Sequence, residues 1–369
     1  MAVVAIVGAG AIGRAYAALV ARAGHAVMLW SPSGRGADDL ARVPAPAKDG
    51  AGTTAVRIAL GGKLDGEVVV ALASAPAAIA SADVVVVAVP ATAYAAVLPV
   101  LAAHLTDAQV VIFSGALSLA PLWLAEIAAA QGRAPMMACF GTTVATARAS
   151  PGGVAVMTVR SRLDVAALPA RAGDRALAAC EALFGARFDL ASNALAIALA
   201  NINPVAHAAM ALTNLTRIER GEAWAQYHYL TPAVARLIEA MDGERRGIAA
   251  AFGLAVRSVE AHFHRSFDVP MASLAEIAAE LHRRRGGPPG PTALATRFVL
   301  EDVPYGLAFY EALGRIAAVP TPATSAVTTT LCLLYGQDLR AENRLPDWLG
   351  LATSSPAALL SRCTGAPSR

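Results

Sequence analysis

The spacing of apolar positions changes near residue 173. Before that point they form short continuous runs, at 3–7, 26–30, 68–72, 84–89, 110–113, 136–140 and 154–159, with alanine-rich stretches of helical spacing between several of them. Such runs, bounded by turn residues, predict buried strands, and strands alternating with helices predict a parallel sheet covered on both faces. Beyond residue 173 the segments 173–184, 231–252, 273–285 and 306–318 place apolar residues three and four apart, which predicts amphipathic helices. The expected architecture is α/β: a doubly wound sheet over residues 1–172, then an all-α domain over 173–369. Gly286-Gly287-Pro288-Pro289-Gly290-Pro291 is the clearest loop, and it falls between two predicted helices.

Composition narrows this picture without changing it. Hydrophobic residues make up 56% of the 369, enough for a large core and high enough to raise the question of a membrane. Alanine inflates the figure. The two longest apolar windows, 84–103 and 194–213, are interrupted by Pro90 and Pro99 in one and by Asn201, Asn203, Pro204 and His207 in the other. The N-terminus runs from Met1 straight into a strand pattern with no basic segment, so no signal peptide is expected and the protein is placed in the cytoplasm. Cys139, Cys180, Cys332 and Cys363 lack metal-ligand spacing and read as reduced structural thiols; no metal is expected. A net charge of +3 gives nucleic-acid binding little support, and the triplet Arg283-Arg284-Arg285 reads as a solvated loop edge. Lys48 and Lys63 are the only lysines, so no mechanism can use a lysine acid from the C-terminal half.

The first candidate chemistry is Gly8-Ala9-Gly10-Ala11-Ile12-Gly13, with strand 3–7 before it and a helix to about Arg22 after it. This G-x-G-x-x-G sits in the context a dinucleotide requires: glycines permit a tight turn and close approach of a pyrophosphate, whose charge meets free amides at the helix start. A Rossmann-like nucleotide domain is expected. Its second strand ends at Trp30, and the position that carries an acidic residue in NAD-binding folds is Ser31. Ser31, Ser33 and Arg35 offer hydroxyls and a guanidinium suited to a 2′-phosphate, so NADP(H) is favoured over NAD(H). Arg14 would either add a second positive charge or lie solvated in the first helical turn. Pro90, at the end of strand 84–89, and Ser114-Gly115-Ala116, after strand 110–113, lie where strand ends face a ligand crevice.

The second candidate is a pair of polar motifs, Asn201-Ile202-Asn203-Pro204-Val205-Ala206-His207 and Arg297-Phe298-Val299-Leu300-Glu301-Asp302-Val303-Pro304-Tyr305-Gly306. Asn203 before Pro204 predicts an N-cap with proline at the first helical position, which puts His207 near the helix start. That end of a helix disfavours imidazolium, whereas a carboxylate such as Asp302 would favour it and fix the ring tautomer. Arg297 and Asp302 lie among apolar residues, which implies burial, and buried charges need partners.

Together, behind an N-terminal nucleotide fold, these motifs resemble the octopine/nopaline (opine) dehydrogenase family over nearly the whole chain. Arg217-Ile218-Glu219, Thr231-Pro232-Ala233-Val234-Ala235-Arg236 and the run from Gly314 to Pro322 agree. The resemblance implies a helical domain of the opine dehydrogenase, 6-phosphogluconate-dehydrogenase-like kind. It implies a catalytic dyad of His207 and Asp302, with Arg297 holding a substrate carboxylate and Asn203 and Tyr305 beside the substrate. Tyr227 and His228 occupy the place of an aromatic stretch in the family and are further pocket candidates. The implied reaction is NADP(H)-dependent reductive condensation of an amino acid with a 2-oxo acid through an imine. Small molecules are then the expected partners, a homodimer is compatible with the reading, and neither nucleic acid nor membrane is expected. Two alternatives stay open: an imine reductase acting on a preformed imine, cyclic ones included, and a non-catalytic NADP(H) sensor.

Overall fold

The computed structural model describes residues 1–44 and 54–365, with Arg285 described by its backbone alone; Lys48 therefore lies outside the described residues. Two compact units result: Met1–Ile197 with the described residues from Arg362 onward, and Ala198–Ser361.

The first unit is built on twelve strands among the described residues: β1 (Val3–Val7), β2 (Ala26–Trp30), β3 (Ala41–Pro44), β4 (Thr54–Gly62), β5 (Glu67–Ala73), β6 (Val84–Val87), β7 (Val110–Ser114), β8 (Met136–Phe140), β9 (Ala145–Ser150), β10 (Gly153–Val159), β11 (Leu163–Leu168) and β12 (Phe188–Leu190). Their order is β12-β11-β8-β7-β6-β1-β2-β5-β4-β10-β9, with β3 beside β4. The block from β8 to β5 is parallel throughout. Its strands are the continuous apolar runs, because strands covered on both faces have no polar side to alternate with. The chain leaves β1 toward β2 in one direction and returns through β6 on the other side, so the order reverses between β1 and β6, where ligands bind in such sheets.

Five strands were not expected from the sequence. β4 pairs antiparallel with β5 and with β3, and β9 pairs antiparallel with β10. Such strands need only one apolar face, and Ala145–Ser150, with half of its residues exposed and no valine or isoleucine, has little strand character of its own. β11 and β12 extend the far edge of the sheet. They also move the expected domain boundary at 172/173. The helix Gly173–Phe184 buries Ala176, Cys180, Leu183 and Phe184 in the core of the sheet, so residues 173–197 belong with the first unit. An amphipathic period predicts a helix; it does not say which surface the helix covers.

The second unit is helical, with Asn203–Thr213, Pro232–Ala251, Val259–Phe267, Leu274–Arg285, Ala308–Ala317 and Pro322–Tyr335 as its longer helices. Pro232–Ala251 is the central one, burying Val234, Ile238, Met241 and Ile248. The stretch Ala194–Thr213 is long and apolar enough to cross a membrane, yet it is mostly buried and its helix is interrupted at Asn201. Arg283 and Arg284 are not a loop edge. They end the helix Leu274–Arg285 and both pair with Glu280, whose carboxyl they pull down to about 2.

Candidate functional site

Each unit carries one of the two candidate chemistries. In the first, the turn after β1 brings Gly8 to φ +114°, where a Cβ would lie 2.6 Å from the Ala88 carbonyl oxygen, and a Cβ on Gly13 would lie 1.7 Å from the Gly8 carbonyl oxygen. Both glycines are required by backbone packing at the point where strand order reverses. Gly10 differs: a Cβ there would meet nothing within 4 Å. It precedes the helix Ala11–Arg22, whose first amides, on Ala11, Ile12 and Gly13, have no partner within the helix. An open turn facing unpaired amides fits the pyrophosphate of a dinucleotide. Pro90 is exposed at the end of the adjacent strand, and the Val89 side chain approaches Gly8. Ser114 is buried and engaged, its hydroxyl 2.6 Å from that of Tyr16, which accepts the amide of Val144.

Past β2, Ser31 accepts the Gly36 amide at 2.9 Å, Ser33 accepts the Arg35 amide, and Ser33 and Arg35 are exposed. Two carboxylates follow that loop, exposed Asp38, whose backbone amide donates to the Arg35 carbonyl, and exposed Asp39. Arg14 corrects both expectations made for it. It is neither solvated nor turned toward a phosphate but 4% exposed, and it pairs with Asp39 and with backbone carbonyls. That guanidinium holds the Asp39 carboxyl below its ordinary value.

In the second unit, the two polar motifs meet across 95 residues. His207 Nδ1 lies 2.8 Å from Asp302 Oδ2. Asp302 is 1% exposed and His207 22%. With the carboxylate ionised, Nδ1 donates to it and Nε2 is left as the proton acceptor. The ring stacks on Phe298, centroids 3.8 Å apart and planes within 3°. Asp302 Oδ1 has no hydrogen-bond partner among the described residues. Behind it comes a π-helical turn, Val303–Leu307, of a kind frequent at functional sites. This turn packs so closely on the His207 helix that a Cβ on Gly306 would lie 2.2 Å from Pro204. Asn343 donates to the Pro304 carbonyl and holds the turn from the other side.

Two other assignments are revised by the geometry. The N-cap position of the His207 helix is Ile202, which has no side-chain cap, and Asn201 Oδ1 just before it accepts the Asn203 amide at 3.0 Å; Asn203 is already helical and half-buried, four residues from His207 and so on the same face. Arg297 is not buried: its side chain is 56% exposed, with Nε 3.2 Å from Glu301, while Glu301 is 10% exposed. Tyr305 is buried, and its hydroxyl donates to the Glu342 carbonyl. Tyr227 packs edge-on against Phe263 and Phe267, and exposed His228 lies beside His282. Sequence reasoning missed Phe298, Glu301 and Asn343. The first two stood inside the quoted motif, at spacings that place Phe298 and Asp302 one helical turn apart.

Comparison with known proteins agrees with both halves. Residues 190–335 match the family described as NAD/NADP octopine/nopaline dehydrogenase, alpha-helical domain, and residues 3–114 match that described as NADP oxidoreductase coenzyme F420-dependent. An opine dehydrogenase of Arthrobacter sp. (strain 1C) is 30% identical over 361 residues, 97% of each chain. Among solved structures, octopine dehydrogenase with NADH and L-arginine superposes with a TM-score of 0.77 at 18% identity, covering 100% of this chain and 99% of that one. Yersinopine dehydrogenase with NADP+ bound gives 0.71 at 17%, covering 95% and 98%.

Proposed function

The chain belongs to the opine dehydrogenase family, and from that premise we propose that it joins the amine of an amino acid to a 2-oxo acid and reduces the resulting imine. It is an NAD(P)H-dependent oxidoreductase acting on CH–NH bonds, which sets the sensor reading aside. The observation that carries the proposal is the His207–Asp302 pair, whose bonded Nδ1 leaves Nε2 as a base.

An amine attacks only when neutral, so His207 Nε2 takes a proton from the substrate ammonium, and Asp302 stabilises the imidazolium that forms. The amine nitrogen then bonds to the oxo carbon, and a proton passes from that nitrogen to the oxygen to form the hydroxyl of a carbinolamine. His207 returns the proton to the departing hydroxyl, which leaves as water, and a C=N bond remains. When bound, the dihydronicotinamide supplies the hydride for that carbon. Arg297 binds a substrate carboxylate and sets its distance from the reacting atoms. Glu301 shares that guanidinium in the free enzyme, so an incoming carboxylate competes with an ion pair already in place. Asn203, on the His207 face of its helix, hydrogen-bonds the substrate in this reading.

For the nucleotide, Gly8, Gly10, Ala11, Ile12 and Gly13 form the pyrophosphate turn, with Pro90 at its edge. Ser31, Ser33 and Arg35 favour NADP(H), the exposed Arg35 supplying the charge for a 2′-phosphate. The setting proposed is the cytoplasm, consistent with free cysteines at all four positions.

The test is a panel of amino acids and 2-oxo acids with NADPH or NADH, with the product identified by mass spectrometry. A secondary amine carrying both carbon skeletons, formed faster with NADPH, is the expected result. Turnover only on preformed cyclic imines would replace this reading with simple imine reduction. A Ser31→Asp, Arg35→Ala variant that kept the wild-type nucleotide preference would overturn the NADP(H) assignment.

A further inference from the structure

Arg14 is charged, almost fully buried and absent from the mechanism above. Its acceptors come from three separate segments. Nε donates to the Ala9 carbonyl, inside the glycine turn, at 2.9 Å. Nη2 donates to the Gly36 carbonyl, at the end of the Ser31–Arg35 loop, at 2.9 Å, and Nη1 to the Gly153 carbonyl at 3.0 Å. Both terminal nitrogens also reach Asp39, whose Oδ2 accepts the Gly152 amide at 3.1 Å. The two loops touch as well: a Cβ on Gly36 would lie 2.9 Å from Ser31 Oγ and 3.3 Å from Ala9 Cβ. A guanidinium is planar and rigid, so acceptors bound to its different edges are held at fixed separations.

We propose that Arg14 is a positioning residue, tying the turn that takes the pyrophosphate to the loop that takes the adenosine ribose so that one dinucleotide meets both in register. The proposal rests on the nucleotide placement given above. Two subsites joined rigidly bind a linked ligand far better than its pieces, because the second contact becomes intramolecular; loosening the joint removes that gain while sparing each subsite. Asp39 completes the clasp as the only carboxylate bonded to the guanidinium among the described residues.

The experiment measures, on the full-length chain, binding of NADPH by fluorescence titration and of two half-ligands by NMR: adenosine 2′-monophosphate for the ribose loop and inorganic pyrophosphate for the glycine turn. For Arg14→Met, the expected result is an NADPH Kd raised at least about tenfold, with each half-ligand shifted less than about twofold. Asp39→Asn keeps the carbonyl contacts and should show the same pattern more weakly, which guards against misfolding of the first variant. Unchanged NADPH affinity, or equal weakening of all three ligands alongside a lower Tm, would overturn the proposal and make Arg14 a purely structural residue. If neither half-ligand competes with NADPH on the wild-type chain, the nucleotide placement itself is wrong, and the clasp proposal falls with it.

Discussion

Two aspartates of the helical unit are equally buried and do opposite things. Asp242 Oδ1 accepts two guanidinium bonds from Arg245, its Oδ2 accepts the Val259 amide, and Arg245 also donates to the Leu199 and Arg257 carbonyls. That pair, 3% and 0% exposed, is closed. Asp302 binds His207 through one oxygen and holds the other without a partner among the described residues, and its histidine reaches partly into the open, stacked on Phe298. A carboxylate kept for stability has its bonding capacity filled. Asp302, to which we assign proton transfer, retains some, and His207 keeps a partly exposed face.

Breaking the closed pair should have the largest effect on folding. Arg245→Met leaves Asp242 buried and uncompensated, with an expected loss of about 3–5 kcal/mol, read as a lower denaturation midpoint. Any protein that still folds should turn over near the wild-type rate per folded molecule; a specific loss of kcat would blur the distinction between the pairs. A smaller effect is expected at the open pair's stacking face. Phe298→Leu removes the ring against His207 and should lower kcat several-fold, a loss of about 0.5–1.5 kcal/mol of orientation, with Tm little changed. A fall in Tm without a fall in kcat would make the stack structural.

The smallest effect concerns a third pair, Arg14–Asp39, whose carboxylate is 44% exposed. Its folded pKa lies below the unfolded value, so the unfolded chain binds the proton first. Stability from this pair is complete above the unfolded pKa of about 3.9 and is lost as pH falls through the lower folded value. Tm measured across the acid range should therefore show a shallower acid decline for Asp39→Asn than for wild type. Parallel curves would mean that Asp39 contributes nothing through its charge.

These pairs also mark where the sequence could be read and where it could not. The parallel strands and the glycine turn were legible because each is a local pattern: a continuous apolar run, a fixed glycine spacing. His207 and Asp302 were legible as members of two polar motifs in apolar surroundings. Features that depend on distant partners were not. Arg14 draws on residues 9, 36, 39 and 153, so its position in the first helical turn gave no hint of burial. Arg297 was expected inside because its neighbours are apolar, yet it heads a short helix capped by Thr296 and turns outward over Glu301. The cap position moved from Asn203 to Ile202 because a helix start is uncertain by a residue or two until the hydrogen bonds are known.

The most direct measurement compares wild type with Asp302→Asn, reading turnover, NADPH affinity and Tm on the same preparations. The amide keeps the shape of the carboxylate and removes the charge that stabilises imidazolium. If the open pair is the proton-transfer machinery, kcat should fall by about 10²–10⁴ while the NADPH Kd and Tm stay close to wild type. A kcat that survives, or one that falls only in step with Tm, would contradict the account.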